Sequence, residues 1–500
     1  MQPVVTAEEM RALDRATIED VGIPALTLME TAGRAVAAAA MRMLQRTGHV
    51  AVVCGPGNNG GDGFVVARVL RDHGLDAVAY LAVPRASVKG DAAAHLEILE
   101  RAGGVVRSIE TPAQLAELAD TIGGAELAVD ALFGIGPLRP IEGHLAQVVA
   151  TINRARQRLA VDIPSGLDSD TGKVIGVCVD AHRTVVMAAH KIALVSAPGF
   201  AQCGVVEIAE IGVPAGVIAT AIVHAGLVEE SDVRGWLPRL AALDHKGTRG
   251  HVVIVGGSPG MRGAGRLAAL AALRAGAGLS TLAAVGGDDL TAPDSVMTRA
   301  LAGTLAELLA GKQAVVIGCG LREDDDARAW IAEVLAAGVP AVVDAGALNL
   351  VATDPTALAR AAGPVVLTPH PGEAARLLGI TAKEVEADRL AAARALAAKT
   401  RAVVVLKGAR TLVCDGTLGD DHCSINPTGG PALATGGSGD VLAGTIGALL
   451  AQGLAAADAA RAGVYVHGRA GERLEAVHGR GAVSGDLGLA IASVIAQLAR

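Results

Sequence analysis

The sequence predicts two doubly wound α/β domains in tandem, on three observations. The chain has 500 residues, more than one domain usually holds and enough for a core in each half. Short apolar runs of buried-strand type alternate with helical patterns through most of both halves, as in a parallel sheet. Many of these runs end in glycine-rich or acidic turns, where open α/β sheets gather their ligands. The composition sets limits. Hydrophobic residues make up 51%, but there are only three Phe, two Trp and two Tyr, so the cores must be built from Ala, Val, Leu and Ile. A net charge of −8 without a basic cluster argues against a nucleic-acid partner. The six cysteines (54, 178, 203, 319, 414 and 423) have no CxxC or disulfide-framework spacing, so reduced thiols and a cytoplasmic location are expected. There is no signal-like apolar start and no uninterrupted apolar run of about 18 residues, so neither export nor a membrane span is expected.

Taken in order, Thr6-Ala7-Glu8-Glu9 is a capping box opening a helix to about residue 18, and a second helix is predicted over 26–45. A strand at 50–54 runs into Gly55-Pro56-Gly57-Asn58-Asn59-Gly60-Gly61-Asp62-Gly63, predicted as a loop before a helix over 64–73. Strand, glycine turn and helix form the layout of a nucleotide or phosphate site. The turn is not GxGxxG, and its two Asn carbonyls suit a hard cation, a ribose or an amide edge. Further strands are predicted at 77–82, 105–109, 127–132, 159–163, 184–188 and 205–211. Two strand ends carry acids, Asp130 before Ala131-Leu132-Phe133-Gly134 and Asp162 before Ile163-Pro164-Ser165-Gly166. Either acid alone could be a helix cap. With Asn59 and Ser165 they are predicted around one crevice.

The stretches PGNNGGDG at 56–63, VDALFGIG at 129–136 and VDIPSGLDSDTG at 161–172 make residues 1–213 similar to NAD(P)H-hydrate epimerase domains. That resemblance implies a Rossmann-like three-layer sandwich. It implies that Asn58, Asn59, Gly60, Gly61 and Asp62, with Gly134, Ile135, Gly136, Pro137, Leu138, Arg139 and Pro140, hold the hydrated nucleotide. It places Asp162 at the reacting C6 and a potassium ion among Asn59, Asp130 and Ser165. The family usually has Pro before Lys191, where this chain has His190.

The pattern weakens over 214–231, which is expected to be a linker, and no internal repeat links the halves. Beyond it, strands are predicted at 251–255, 314–318, 341–344, 365–368 and 403–407, with a hairpin at 411–416. Ala434-Thr435-Gly436-Gly437-Ser438-Gly439-Asp440 precedes a long Ala/Leu-rich helical segment. A helix opening there aims free N–H groups and its positive dipole end into the glycine turn, a ready phosphate site. A carboxylate repels phosphate, so Asp440 is better explained as a base or a metal-side group for a hydroxyl to be phosphorylated; an ordinary capping Asp is the alternative. Lys407 and Thr411 suit a phosphate tail. His370 suits the acceptor or is a turn histidine, and Arg410 suits the nucleotide or solvent.

HKGTRG at 245–250, GAGRLAALAALRAGAGL at 263–279, TPHPGEAARLLG at 368–379, KGART at 407–411 and ATGGSGDVLAG at 434–444 make residues 232–500 resemble ADP-dependent NAD(P)H-hydrate dehydratases, a ribokinase-like branch. The resemblance implies that Ala264, Gly320, His370 and Asp440 contact the hydrate. Lys407, Gly408, Ala409, Arg410, Thr411 and Gly439 would bind the adenine nucleotide, which carries Mg2+. The family usually carries a second acid at the position of Gly346. The whole chain then resembles a bifunctional repair enzyme for NADHX and NADPHX. One domain would epimerise the R and S hydrates. The other would phosphorylate the C6 hydroxyl of the S form with ADP and release NAD(P)H. A homo-oligomer is expected. The alternative is a vitamin or sugar kinase with a non-catalytic nucleotide-binding module, which leaves the acids of the first half unexplained.

Overall fold

The computed structural model describes residues 1–44, 48–136, 139–286, 291–417 and 422–499. The chain divides into two compact units, Gln2–Val223 and His224–Arg500 with Met1, and the division falls within residues 214–231. Those residues carry a helix, Ala215–Thr220, and a strand, so the weak pattern there does not mark an absence of structure.

The N-terminal unit contains β1 Gln2–Val5, β2 Val50–Cys54, β3 Ala77–Leu81, β4 Val105–Ser108, β5 Leu127–Ala131, β6 Gln157–Val161, β7 Arg183–Met187, β8 His190–Lys191 and β9 Val205–Ala209. Seven of these form one parallel sheet in the order β4-β3-β2-β5-β6-β7-β9, and β1 pairs with β8. Side chains alternate across β2. Val50, Val52 and Cys54 join a core with the helices Ala25–Met43 and Asn58–Asp72, while Ala51 and Val53 face a second core with the helices Pro112–Gly123 and Gly143–Ile152. This is a three-layer sandwich. The sheet order reverses direction between β2 and β5, the switch point where doubly wound sheets open a crevice.

Two local expectations need correction. The Thr6 capping box is present, but its helix ends at Arg15 and a π-turn, Ala16–Asp20, follows. The predicted glycine loop is shorter than expected, because the helix opens at Asn58 rather than Phe64. Close packing explains the glycines there. A Cβ at Gly60 would overlap the Gly55 carbonyl, and one at Gly63 would lie 2.6 Å from Ala131.

In the C-terminal unit, β10 Ala225–Leu227, β11 His251–Gly256, β12 Leu279–Val285, β13 Met297–Leu301, β14 Ala314–Ile317, β15 Ala341–Val343, β16 Val365–Leu367, β17 Val403–Leu406, β18 Leu412–Asp415 and β19 Cys423–Ile425 follow in sequence. They are ordered β13-β12-β11-β14-β15-β16-β17-β18-β19-β10, antiparallel only around β18. The order reverses between β11 and β14. One face is covered by small-residue helices, Arg262–Arg274, Ser438–Ala451, Ala456–His478 and Ser484–Leu498. The expectation of reduced cysteines is corrected at one place. Cys414 and Cys423 lie opposite each other on β18 and β19 and form a disulfide, while Cys54, Cys178, Cys203 and Cys319 remain thiols. Antiparallel pairing across nine residues brought this pair together, and sequence spacing alone does not reveal it. Among the described residues no helix is long and apolar enough to cross a membrane.

Candidate functional site

A cavity of about 890 Å³ lies at the switch point of the N-terminal unit. Asn58, Asn59 and Asp62 enter it from the helix after β2, Gly134, Ile135, Gly136, Arg139 and Pro140 from the segment after β5, and Asp162 from the end of β6. Pro137 and Leu138 lie outside the described residues. Gly60 and Gly61 do not line the cavity; they pack on Gly55 and Met29. The glycines let the helix press against the strand turn, and that pressure brings the Asn and Asp side chains to the cavity.

Asp162 has a left-handed backbone, φ 66°, which is costly for a residue with a Cβ. This twist directs its carboxylate. Oδ1 accepts from the Lys191 ammonium at 2.6 Å and from the Met187 N–H at 3.1 Å, and Lys191 also donates to the Met187 carbonyl at 2.9 Å. The other oxygen, Oδ2, lies toward Gly134 on the cavity rim. One oxygen is therefore anchored and the other is available for chemistry. Lys191 is fully buried, and its charge matches that of Asp162. The sequence marked Lys191 only through the unusual residue before it. Asp62 is also buried; its carboxyl is pushed well above the usual carboxylate range by burial and by the nearby charges of Asp162 and Asp14.

Asp130 and Ser165 sit behind the cavity. Asp130 accepts from the Ser165 N–H at 2.7 Å, the Ser165 hydroxyl at 2.6 Å and the Leu132 N–H at 3.2 Å. Burial still pushes its carboxyl up to about 6, against those three hydrogen bonds. Asn59 turns Oδ1 toward Gly134, and its buried Nδ2 has no hydrogen-bond partner among the described residues.

The C-terminal unit gathers a second charged centre at the strand ends. The helix Ser438–Ala451 starts after Gly437, whose φ of 89° makes the tight entry turn. Asp440 lies in its first turn. Burial first, and then the negative charge of Asp344, push its carboxyl up to about 6, while Cys319 and Lys407 pull it down. A ligand atom from each of Cys319, Asp344 and Asp440 falls within 4.8 Å of the others. Lys407, at the end of β17, donates to Asp344 at 2.9 Å and lies 3.9 Å from Glu373. A Cβ on Gly439 would stand 3.4 Å from the Lys407 ammonium, so the lysine reaches the helix N-terminus directly. His467 is buried behind the turn and donates from Nε2 to the Ser438 carbonyl at 3.0 Å. Burial lowers its pKa to about 4, so it is neutral at pH 7.

The other predicted residues have mixed settings. His370 caps the helix Pro371–Leu378, its Nδ1 accepting from the Gly372 and Glu373 N–H groups, and its ring remains mostly exposed. Gly320 lines a smaller cleft with Met261, Arg322 and Asn349, and Ala264 stands beside Gly320 outside it. Thr411 closes its turn on the Gly408 carbonyl, and the Arg389 guanidinium braces that turn from beneath. Arg410 donates to the Pro427 carbonyl rather than standing in solvent, and Ala409 is exposed. The missing acid at Gly346 has a steric reason, because a Cβ there would overlap the Leu321 carbonyl. Asp344, Glu373 and His467 were not singled out by sequence reasoning. Position at a strand end was the available signal for Asp344. For His467, deep in a long helix, there was none.

Two family models match the chain, one in each half. One, described as YjeF-related protein N-terminus, covers residues 25–193, and the other, NAD(P)H-hydrate dehydratase, covers residues 252–492. The class is thus a fusion of these two enzyme modules. The chain belongs to the family of bifunctional NAD(P)H-hydrate repair enzymes. A relative of that name from Moorella thermoacetica is 43% identical over 97% of this chain and 95% of its own length. One from Coxiella burnetii is 38% identical, over 96% of each. A solved ADP/ATP-dependent NAD(P)H-hydrate dehydratase from Bacillus subtilis, co-crystallised with ATP and Mg2+, is 30% identical over 54% of this chain and 98% of its own, with a TM-score of 0.47.

Proposed function

We propose that residues 1–213 interconvert the R and S hydrates of NADH and NADPH, and that residues 232–500 dehydrate the S form with ADP. The observation that carries this reading is the presence of two separate acid–cation centres in one chain, Asp162 paired with Lys191, and Lys407 paired with Asp344 beside Asp440. In the second unit hydroxide is the poor leaving group to be overcome. Asp440 takes the proton of the C6 hydroxyl as that oxygen attacks the terminal phosphoryl group. The helix N–H groups and Lys407 stabilise charge on the transferring phosphoryl. AMP departs from the transferred phosphoryl, and phosphate then leaves C6 as the ring nitrogen pushes to form N1=C6. Loss of a proton from C5 restores the C5=C6 bond of NAD(P)H. The hard oxygens of Asp344 and Asp440 suit the Mg2+ that accompanies the nucleotide, whereas the Cys319 thiol is too soft for it. That ion would neutralise phosphate charge.

In the first unit the donor set of Asn59, Asp130 and Ser165 is all oxygen. Asp130 is a fully buried carboxylate with no ion-pair partner among the described residues, a charge that a weakly held monovalent cation would balance. Potassium is the ion proposed.

The test uses purified protein and a mixture of R and S hydrates. With ADP and Mg2+ the whole mixture should become NAD(P)H, and potassium in place of lithium should speed interconversion. Faster turnover with ATP would overturn the ADP assignment. Failure to consume the R form would overturn the epimerase assignment.

A further inference from the structure

Inversion at C6 needs proton transfer on both faces of the ring, and Asp162 presents only one free oxygen. The C6–O bond breaks as an acid protonates the hydroxyl, water leaves, and the ring nitrogen lone pair forms an N1=C6 double bond. Water then adds to the other face and gives a proton to a base. The protons balance, and each direction exchanges the two roles. A second titratable group must therefore face the same cavity.

We propose that Asp14 is that second proton-transfer residue, acting with Asp162 from a different wall; the proposal rests on the epimerase reading above. Asp14 lies on the helix Ala7–Arg15, whose buried residues are Ala7, Met10 and Leu13. Spacing of seven and four residues from Ala7 and Met10 puts Asp14 on the same apolar stripe, where a purely structural helix would place a hydrophobic residue. Asp14 lines the cavity beside Met10 and Ile18. Unlike Asp162, it makes no hydrogen bond or ion pair among the described residues, so its carboxyl is not committed to holding the fold together.

The other charged groups lining the cavity are Arg11, Asp62, Asp91, Arg139, Asp162 and Lys191. Arg11 is one turn from Asp14, but its guanidinium donates to the Ile135 carbonyl at 2.8 Å. Lys191 is held on Asp162, and in the proposal Asp162 takes the base role of the pair. Burial raises the Asp14 carboxyl, Lys191 opposes that and Asp162 adds to it, and because no cation or donor among the described residues holds its carboxylate Asp14 is assigned the acid role. Asp62 is pushed well above the usual carboxylate range by burial and by both neighbouring carboxylates. A proton-transfer group must release its proton as well as hold it, and that favours Asp14 over Asp62.

The experiment is Asp14→Asn in the full chain, with interconversion followed from pure R hydrate and dehydration from pure S hydrate. Interconversion kcat should fall about 10²–10⁴-fold with hydrate affinity little changed, while S-hydrate dehydration stays at the wild-type rate and so reports an intact protein. Asp14→Glu should restore part of the rate and shift the acidic limb of the interconversion pH profile. The proposal is overturned if Asp14→Asn interconverts within about threefold of wild type, keeps the wild-type pH profile, or raises KM with kcat unchanged. If Asp14→Asn fails to fold, an Asp14→Glu profile identical to wild type overturns it. If the wild-type protein itself does not interconvert the hydrates, the epimerase reading fails, which is a separate result.

Discussion

Asp162 and Asp440 are both strand-end or helix-start carboxylates, yet their neighbours give them different chemistry. Asp162 is locked on one oxygen by Lys191, and breaking a buried pair leaves a lone charge that costs about 3–5 kcal/mol. Lys191→Met should therefore lower the denaturant midpoint of the N-terminal unit sharply. Adding Asp162→Asn should recover most of that loss, as a double-mutant cycle would show. Asp440 has no locking cation; burial and Asp344 raise it to about 6. The sign follows directly. The base form fills as pH rises through about 6, so kcat/KM for dehydration should climb across that range and level off above it. Asp344→Asn removes the like charge and should move the rise to lower pH, and an unmoved rise would reject Asp344 as its cause. Asp440→Asn should cut dehydration about 10²–10⁴-fold and leave interconversion intact.

At the scale of elements, glycine is where close contact decides the structure. The helices Ser438–Ala451 and Arg262–Arg274 approach so closely that a Cβ on Gly444 would overlap the Ala268 carbonyl. Gly444→Ala should cost about 1–3 kcal/mol, read as a lower unfolding midpoint for the C-terminal unit, because backbone cannot yield as a flexible side chain would. The same helix carries Asp440 in its first turn, so dehydration should weaken with it. The glycines after β2 act in the same way, and the sequence reading missed this by treating Asn58–Gly63 as a loop. The strands β12 and β13 were also missed, because Leu279–Val285 continues the small-residue pattern of the helix before it. Neighbouring parallel strands stabilise them, which is a nonlocal effect.

At the scale of the whole molecule, in the proposed function each unit carries one reaction and the substrate links the two. In Asp162→Asn protein a mixture of hydrates should yield NAD(P)H up to the S fraction and then stop. In Asp440→Asn protein the isomers should equilibrate without NAD(P)H formation. Chromatography that resolves R, S and product measures both outcomes. Complete consumption of the R form by Asp162→Asn protein, at a rate above spontaneous interconversion, would show that one unit suffices.

The sequence by itself determined the two α/β halves, the glycine turn before Ser438, and the placing of Asp130, Asp162 and Asp440 at strand ends or a helix start, because strand runs, glycine turns and caps are local patterns. It also determined the family, since long motifs survive where single residues are ambiguous. Only the tertiary structure decided which oxygen of Asp162 is free, that Lys191 is buried against it, and that Asp14 shares the cavity. Only the fold set Lys407 between Asp344 and the helix start, joined Cys414 to Cys423, and left no room for a side chain at Gly346. Each of these depends on residues distant in the chain meeting at strand ends. Burial and neighbouring charge then set their protonation, and neither can be read from local spacing.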